Sequence, residues 1–353
     1  MAKILIVRLG AMGDILHALP TATAIRTALP DATIGWLVEE RWIELLAAQG
    51  QTCGPVVNVI HAVNTQRWRS RVGSRDIRKE ISISIKAIRA MRYDVALDFQ
   101  GAIKSAIFAA LSGAKVKAGF VNPREYAARF FYSEKFSRSG NHVIEQNHGL
   151  ATQALKRHFD QGQHGVPIHL LAPELPHDAA AGSWAQAEIQ RLGIASFVII
   201  NPGAGWGAKQ WPSQRYGEVS RALAVHGLKT LVNAAPGEEA LAAAVIQASG
   251  GNAFELRCTI AQLIALTRRA RLFIGGDTGP LHLAAALGIP VVGLFGPTDP
   301  VRTGPFGTKS VVLRHPESKT TFSHHSAVEE GLLKIGADEV ISAARWLLGS
   351  SHA

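Results

Sequence analysis

Gly275-Gly276-Asp277-Thr278-Gly279-Pro280-Leu281-His282, running on through Leu283-Ala284-Ala285-Ala286-Leu287-Gly288-Ile289-Pro290, is the stretch whose reading decides the fold. The apolar run Arg271 to Ile274 before it predicts a buried strand. Asp277 and Thr278 are good N-cap residues, and Pro280 suits a first helical turn, where N–H groups have no intrahelical acceptor. Gly288 and Pro290 are a helix stop, and Val291 to Phe295 predicts a second strand. Strand, glycine-lined turn, short helix and strand make one unit of a parallel α/β sheet. The turn presents free N–H groups at the positive end of the helix dipole, which suits a phosphate or diphosphate. Gly275, Gly276 and Gly279 let an anion approach the backbone, Thr278 adds a hydroxyl, and His282 lies one turn up the same face. An ordinary capped helix is the alternative reading of the same residues.

Outward from that unit the pattern repeats. Toward the N-terminus of the second half, Phe197 to Ile200 is a strand, followed by the glycine-rich loop 201–212 with its single lysine, Lys209, then a helix from Ser213 and a strand Lys229 to Val232. Glu238 and Glu239 begin a helix after a Pro-Gly turn. At the start of the chain, Lys3 to Arg8 predicts a buried strand, Gly10 to Asp14 a tight turn, Ile15 to Ala28 a helix and Thr33 to Val38 the next strand. The glycines of that turn do not make the full dinucleotide fingerprint. Asp14 stands at the helix start, above the carboxyl end of the first strand, where open α/β sheets bind ligands; it is either an N-cap or a carboxylate placed to act as a base. Asp94 to Phe99 is another strand, and Pro167, Pro173 and Pro176 mark a linker.

The 353 residues, 47% hydrophobic and 18% charged, suffice for two α/β domains with large cores. Two cysteines far apart, Cys53 and Cys258, argue against a disulfide framework. No signal-peptide form and no apolar run of transmembrane length occurs, so the sequence reads as cytoplasmic or peripheral to a membrane. The net charge of +10 is lopsided: residues 1–172 hold 22 Lys and Arg against 13 Asp and Glu, and the remainder is nearly balanced. Nine basic residues crowd 67–92, and Arg67-Trp68-Arg69-Ser70-Arg71 offers bidentate donors around an indole. Such a run is a solvated face or a surface for a polyanion: nucleic acid, anionic lipid or a phosphorylated substrate. No nucleic-acid motif accompanies it. No Asp-x-Asp motif or ligand cluster indicates a metal, and the His324-His325 pair lacks partners, so no metal and no cofactor is expected.

Gly13-Asp14 with His17 and Pro20, Lys209-Gln210-Trp211-Pro212, Asp277-Thr278-Gly279 with His282, and Gly296-Pro297-Thr298-Asp299-Pro300, taken in this order, resemble the lipopolysaccharide heptosyltransferases of glycosyltransferase family nine. The Arg67 to Arg69 cluster, Asp98-Phe99-Gln100-Gly101 with Lys104, and Arg124-Glu125 are most like its type I members, which add the first heptose to Kdo. Type II members and other sugar-nucleotide enzymes, epimerases included, are the alternative. The resemblance implies a GT-B fold, α/β, with two Rossmann-like domains whose parallel sheets face across a cleft: 1–172 binding the acceptor, 173–335 the donor, and 336–353 a C-terminal helix packing back on the first domain. It implies an ADP-L-glycero-D-manno-heptose donor, a Kdo-lipid A precursor acceptor at the anionic inner face of the inner membrane, and inverting, metal-independent transfer. Asp14 and Lys209 would be catalytic. Ala204, Gly205, Lys209, Glu238, Asp277, Thr278, Gly279 and His282 would bind the donor. Gly13, His17, Arg67, Trp68, Arg69, Arg71, Gln100, Lys104 and Arg124 would bind the acceptor.

Overall fold

In the computed structural model, which describes residues 1–71, 73–159, 168–321 and 327–349, the chain divides into two compact units, Met1–Pro176 and His177–Ala353. The first carries strands β1 (Lys3–Val7), β2 (Thr33–Glu39), β3 (Val59–Val63), β4 (Val95–Asp98), β5 (Val116–Phe120) and β6 (Glu134–Phe136). They form one six-stranded sheet in the order β3-β2-β1-β4-β5-β6. The second carries β7 (Phe197–Asn201), β8 (Lys229–Asn233), β9 (Ala253–Leu256), β10 (Leu272–Gly276), β11 (Val291–Leu294) and β12 (Ser310–Leu313), ordered β12-β11-β10-β7-β8-β9. Every adjacent pair is parallel. Counted within its unit, each sheet has the same doubly wound order, in which the winding reverses beside the first strand.

The central strands explain the sheets. The interior residues of β1 and all five of β7 are buried, apolar but for Asn201 at its end, as strands covered by helices on both faces must be. In the first unit Leu5, Val7 and Leu37 pack with Trp68, Ile77, Ile88 and Phe108 from the covering helices. On β3 of the same sheet, His61 pairs with the Tyr93 hydroxyl at 2.7 Å, and burial pushes its imidazole down to about 4. In the second unit Val198, Ile200, Ile274 and Val292 pack with Trp211 and Tyr216.

One expectation changes. The single helix Ile15 to Ala28 is two, Met12–Leu16 and Leu19–Ala28, because Pro20 lacks an N–H and takes a first-turn position of the second. The C-terminal helix, Ala337–Gly349, belongs to the second unit, where Val340, Ala344 and Leu347 are buried with Trp211. Pro167 and the His324-His325 pair lie outside the described residues. Among the described residues no helix is long and apolar enough to cross a membrane.

Candidate active site

Each reversal point gathers polar residues that are distant in sequence. In the first unit β1 and β4 are neighbours, with Val7 beside Asp98, so the turn after β1 and the turn after β4 emerge together. The Leu9 N–H donates to Oε1 of Gln100 at 3.0 Å, tying one turn to the other. Asp14 sits in the first turn of the helix Met12–Leu16. Its Oδ2 accepts the Ala11 N–H at 3.1 Å, and its Oδ1 meets Nη2 of Arg8 at 2.5 Å. Arg8 is itself buried and donates through Nη1 to the Phe99 carbonyl at 2.7 Å. The Asp14 side chain keeps 36% of its surface exposed, so a substrate hydroxyl can reach it while Arg8 fixes its direction.

Asp98 organises the second turn. It is fully buried and accepts four hydrogen bonds: from the Gln100 and Gly101 N–H groups at 2.8 and 3.1 Å, and from the Ser105 and Tyr132 hydroxyls, each at 2.8 Å. Burial raises its pKa, and these four donors oppose that shift without cancelling it. Gly101 has φ +66°, and a Cβ there would stand 3.0 Å from the Arg124 nitrogen, so only glycine lets the 123–125 loop close over this turn.

The acceptor residues expected from sequence do not all face outward. Arg67, Arg69 and Arg71 are exposed at the short helix Thr65–Ser70, with Arg67 Nη2 3.5 Å from Glu80. Trp68 is instead a core residue: it packs against Phe108 and donates from Nε1 to Glu80 at 2.8 Å. In this six-residue helix Thr65 and Trp68, three residues apart, both face inward. His17 is likewise buried, edge-on to the His142 ring at 5.5 Å, with its carbonyl accepting from Asn147 at 3.2 Å. Lys104 is half-exposed and committed to Glu39 at 3.1 Å and Thr65 Oγ1 at 2.7 Å. Gly13 lies in the Asp14 helix, and Arg124 is exposed.

In the second unit the reversal point lies between β7 and β10, with Asn201 beside Gly275. Asp277 and Thr278 lead from β10 into the helix Gly279–Ala286. Asp277 is buried between Lys209 and His282. Its Oδ2 is 2.6 Å from Lys209 Nζ and its Oδ1 2.9 Å from His282 Nε2. Burial alone would raise its pKa; the His282 bond and charge, then Lys209, outweigh burial and hold the carboxylate well below its usual range. Lys209 also donates to the Asp277 carbonyl at 3.2 Å and lies 4.3 Å from the centre of the Trp206 ring. Lys209, expected from sequence at the donor site, is held against the start of the helix Gly279–Ala286. An ammonium has three protons, and two are engaged by Asp277, so the third points elsewhere. The Thr278 hydroxyl also has a protein partner, the Gly276 carbonyl at 3.2 Å.

Across β7, Asn201 donates to the Gly203 carbonyl at 2.8 Å and accepts from Asn233 at 2.6 Å. Glu238 binds the Ala235 N–H at 2.9 Å and covers Gly203, where a Cβ would stand 2.0 Å from its Oε2. Ala204 is half-buried and Gly205 exposed on the same loop. Asp299 caps the turn Pro300–Thr303 through the Val301 N–H at 3.0 Å, a structural role.

Sequence reasoning missed Arg8, Glu39, Asn201 and Trp206 as site residues and read Asp98 only as part of a motif. The available signal was position. Arg8, Glu39, Asp98 and Asn201 stand at or just past the carboxyl ends of β1, β2, β4 and β7, where a polar residue ends an apolar strand.

Known proteins share this fold. A family model described as glycosyltransferase family 9 (heptosyltransferase) matches residues 83–332. Lipopolysaccharide heptosyltransferase 1 of Escherichia coli K12 is 28% identical over 336 residues, covering 94% of this chain and 99% of that protein. Its Pseudomonas aeruginosa counterpart is 29% identical over 317 residues, covering 88% and 83%. The solved structure of E. coli heptosyltransferase WaaC with ADP-2-deoxy-2-fluoro heptose aligns at TM-score 0.73 and 25% identity, over 98% of this chain and 99% of that one. The likeness extends over both sheets, the GT-B-like fold.

Proposed function

Because the chain belongs to glycosyltransferase family 9 (heptosyltransferase), we propose that it transfers L-glycero-D-manno-heptose from ADP-heptose to the Kdo of a lipid A precursor, with inversion at the anomeric carbon. The second unit binds the donor and the first binds the acceptor. The observation that carries this reading is the complementary chemistry of the two reversal points: an exposed carboxylate in one, and a cation at a helix N-terminus in the other. The relative solved with an ADP-heptose analogue supports the donor.

In this mechanism Asp14 takes the proton of the acceptor hydroxyl as that oxygen attacks the anomeric carbon from the face opposite the diphosphate. The bond from the anomeric carbon to the phosphate oxygen breaks, and ADP leaves with the electron pair. The growing charge falls where the N–H groups of Thr278 and Gly279 and the third proton of Lys209 can stabilise it. Asp277 anchors Lys209 there, and His282 holds Asp277. Arg67, Arg69, Arg71 and Arg124 meet the acceptor's carboxylates and phosphates as planar forks. Gln100 joins the two turns that frame Asp14. The enzyme works peripherally, at an anionic membrane surface that carries the acceptor.

A melting screen of the chain with ADP, UDP and GDP tests the donor class. A nucleotide at a hundredfold excess over its dissociation constant stabilises the fold by about 2.7 kcal/mol. Selective stabilisation by ADP is expected; equal shifts with all three, or a shift with UDP alone, would remove the donor assignment.

A further inference from the structure

The turn that follows β5 carries aromatic rings that the fold does not cover. Tyr126–Phe131 is a short 3-10 helix, and within it Phe130 is 76% exposed, Tyr126 63% and Phe131 36%. The turn packs on the helix Ile103–Leu111 through Ala106, Ala128 and Tyr132. That helix adds Ile103 and Ile107, four residues apart and each more than a third exposed. Tyr126 and Phe130 meet edge to face at 6.2 Å, so they stand as a preformed pair. Two arginines flank them. Arg129 lies over the Tyr126 ring at 4.8 Å and donates to its hydroxyl at 2.5 Å, and Arg124 is exposed two residues before it. The adjacent residue in sequence, Glu125, turns its carboxylate back to accept the Ile103 N–H at 2.8 Å.

We propose that this aromatic turn is the surface by which the first unit docks on an anionic lipid bilayer, with Tyr126, Phe130 and Phe131 entering the interface and Arg124 and Arg129 meeting the headgroups. The inference rests on the proposed reading of the acceptor as a membrane-borne glycolipid, and locates where the membrane is met. Apolar tips flanked by arginine are the chemistry of an interfacial anchor. A second copy of the chain fits less well, because a two-fold contact would set the same arginines against one another. The position also fits. The helix Ile103–Leu111 and the turn follow β4 and β5 at their carboxyl ends, the end of the sheet that carries Asp14. The Glu125 N–H donates to the Gly101 carbonyl at 2.9 Å, and Gln100 is bonded to Leu9 in the Asp14 turn. A bilayer touching the turn therefore lies on the side from which a lipid-anchored sugar reaches the carboxylate.

The test is vesicle flotation of the full chain and its Tyr126→Ser, Phe130→Ser double variant. Both residues are exposed, so the variant keeps its fold and its ADP affinity. Vesicles of equal parts phosphatidylethanolamine and phosphatidylglycerol should float the unaltered chain, and vesicles of phosphatidylcholine alone should not. The double variant should bind the anionic vesicles at least about tenfold more weakly. It should transfer to a soluble, deacylated acceptor at the unaltered rate. Equal flotation of variant and parent would overturn the proposal. Loss of transfer to the soluble acceptor would also overturn it, by assigning the turn to sugar binding, and so would a parent dimer that the variant dissociates. Flotation requires neither donor nor acceptor, so it stands or falls separately from the transfer reaction.

Discussion

Replacing Asp277 by asparagine should separate what the buried cluster does for stability from what it does for the donor. The Asp277 side chain is 8% exposed and that of Lys209 11%, so the amide leaves a lysine charge with almost no water. Breaking one side of such a buried pair costs about 3 to 5 kcal/mol. In a unit of this size each kcal/mol moves the melting point by about 2 to 4 °C, so calorimetry should find a fall of roughly 6 to 20 °C. Lys209→Met is milder, because Asp277 keeps His282 at 2.9 Å. The double variant Asp277→Asn, Lys209→Met removes both charges and should recover most of the lost stability, a non-additive result expected of contacting residues. Its ADP affinity should not recover. Titration calorimetry should find every Lys209→Met protein weaker for ADP by about tenfold to a hundredfold, the worth of a charge-assisted hydrogen bond. Additive stability losses would show that the two charges do not act on one another. Recovery of ADP affinity in the double variant would show that Lys209 serves the fold alone.

Further predictions concern the first unit and pH. Arg8→Met should lower kcat by up to roughly a hundredfold with donor KM unchanged, because Asp14 Oδ1 loses its 2.5 Å partner and its aim; an unchanged kcat would remove Arg8 from the mechanism. Replacing Arg67, Arg69 and Arg71 with glutamine should raise the acceptor KM and spare the donor KM, with the largest loss at low ionic strength; equal effects on both would mark a merely solubilising face. His61 is held neutral, its pKa lowered from 6.5 to about 4, so the unfolded chain takes up a proton first as pH falls. Stability from this group is present above about pH 6.5 and is lost as pH falls toward 4, a drop of about 2 kcal/mol between pH 7 and 5. Urea unfolding of the chain and of His61→Gln checks this: the variant should show a shallower pH dependence by that amount.

Much of the fold could be read because its signals are local. Each central strand is an apolar run, and the turn between β10 and its helix announces itself through Asp277, Thr278 and Pro280. The break after Leu16 was also written in the chain, as Pro20, and only the expectation of a continuous helix obscured it. Pairings across long separations were not legible. Lys209 and Asp277 are 68 residues apart and Lys104 and Glu39 are 65 apart, and only the strand order brings each pair into contact. The orientation of Trp68 was equally hidden. Between two arginines an indole reads as part of a binding cluster, yet its place in a short helix turns it toward Phe108. The C-terminal helix shows the same limit: the sequence reads as a helix there, but does not show that Trp211 and its neighbours receive it.

The central claim, that Asp14 drives heptosyl transfer from ADP-heptose, is tested most directly by single-turnover transfer to a Kdo-lipid A precursor, comparing the parent chain with Asp14→Asn. The parent should form one ADP for each heptose transferred, in a product of inverted anomeric configuration. Asp14→Asn should bind ADP normally and transfer roughly a hundredfold to ten-thousandfold more slowly, the loss expected when a general base can no longer accept a proton. A parent that releases no ADP with this donor and acceptor, or a variant that transfers at the parental rate, would contradict the account.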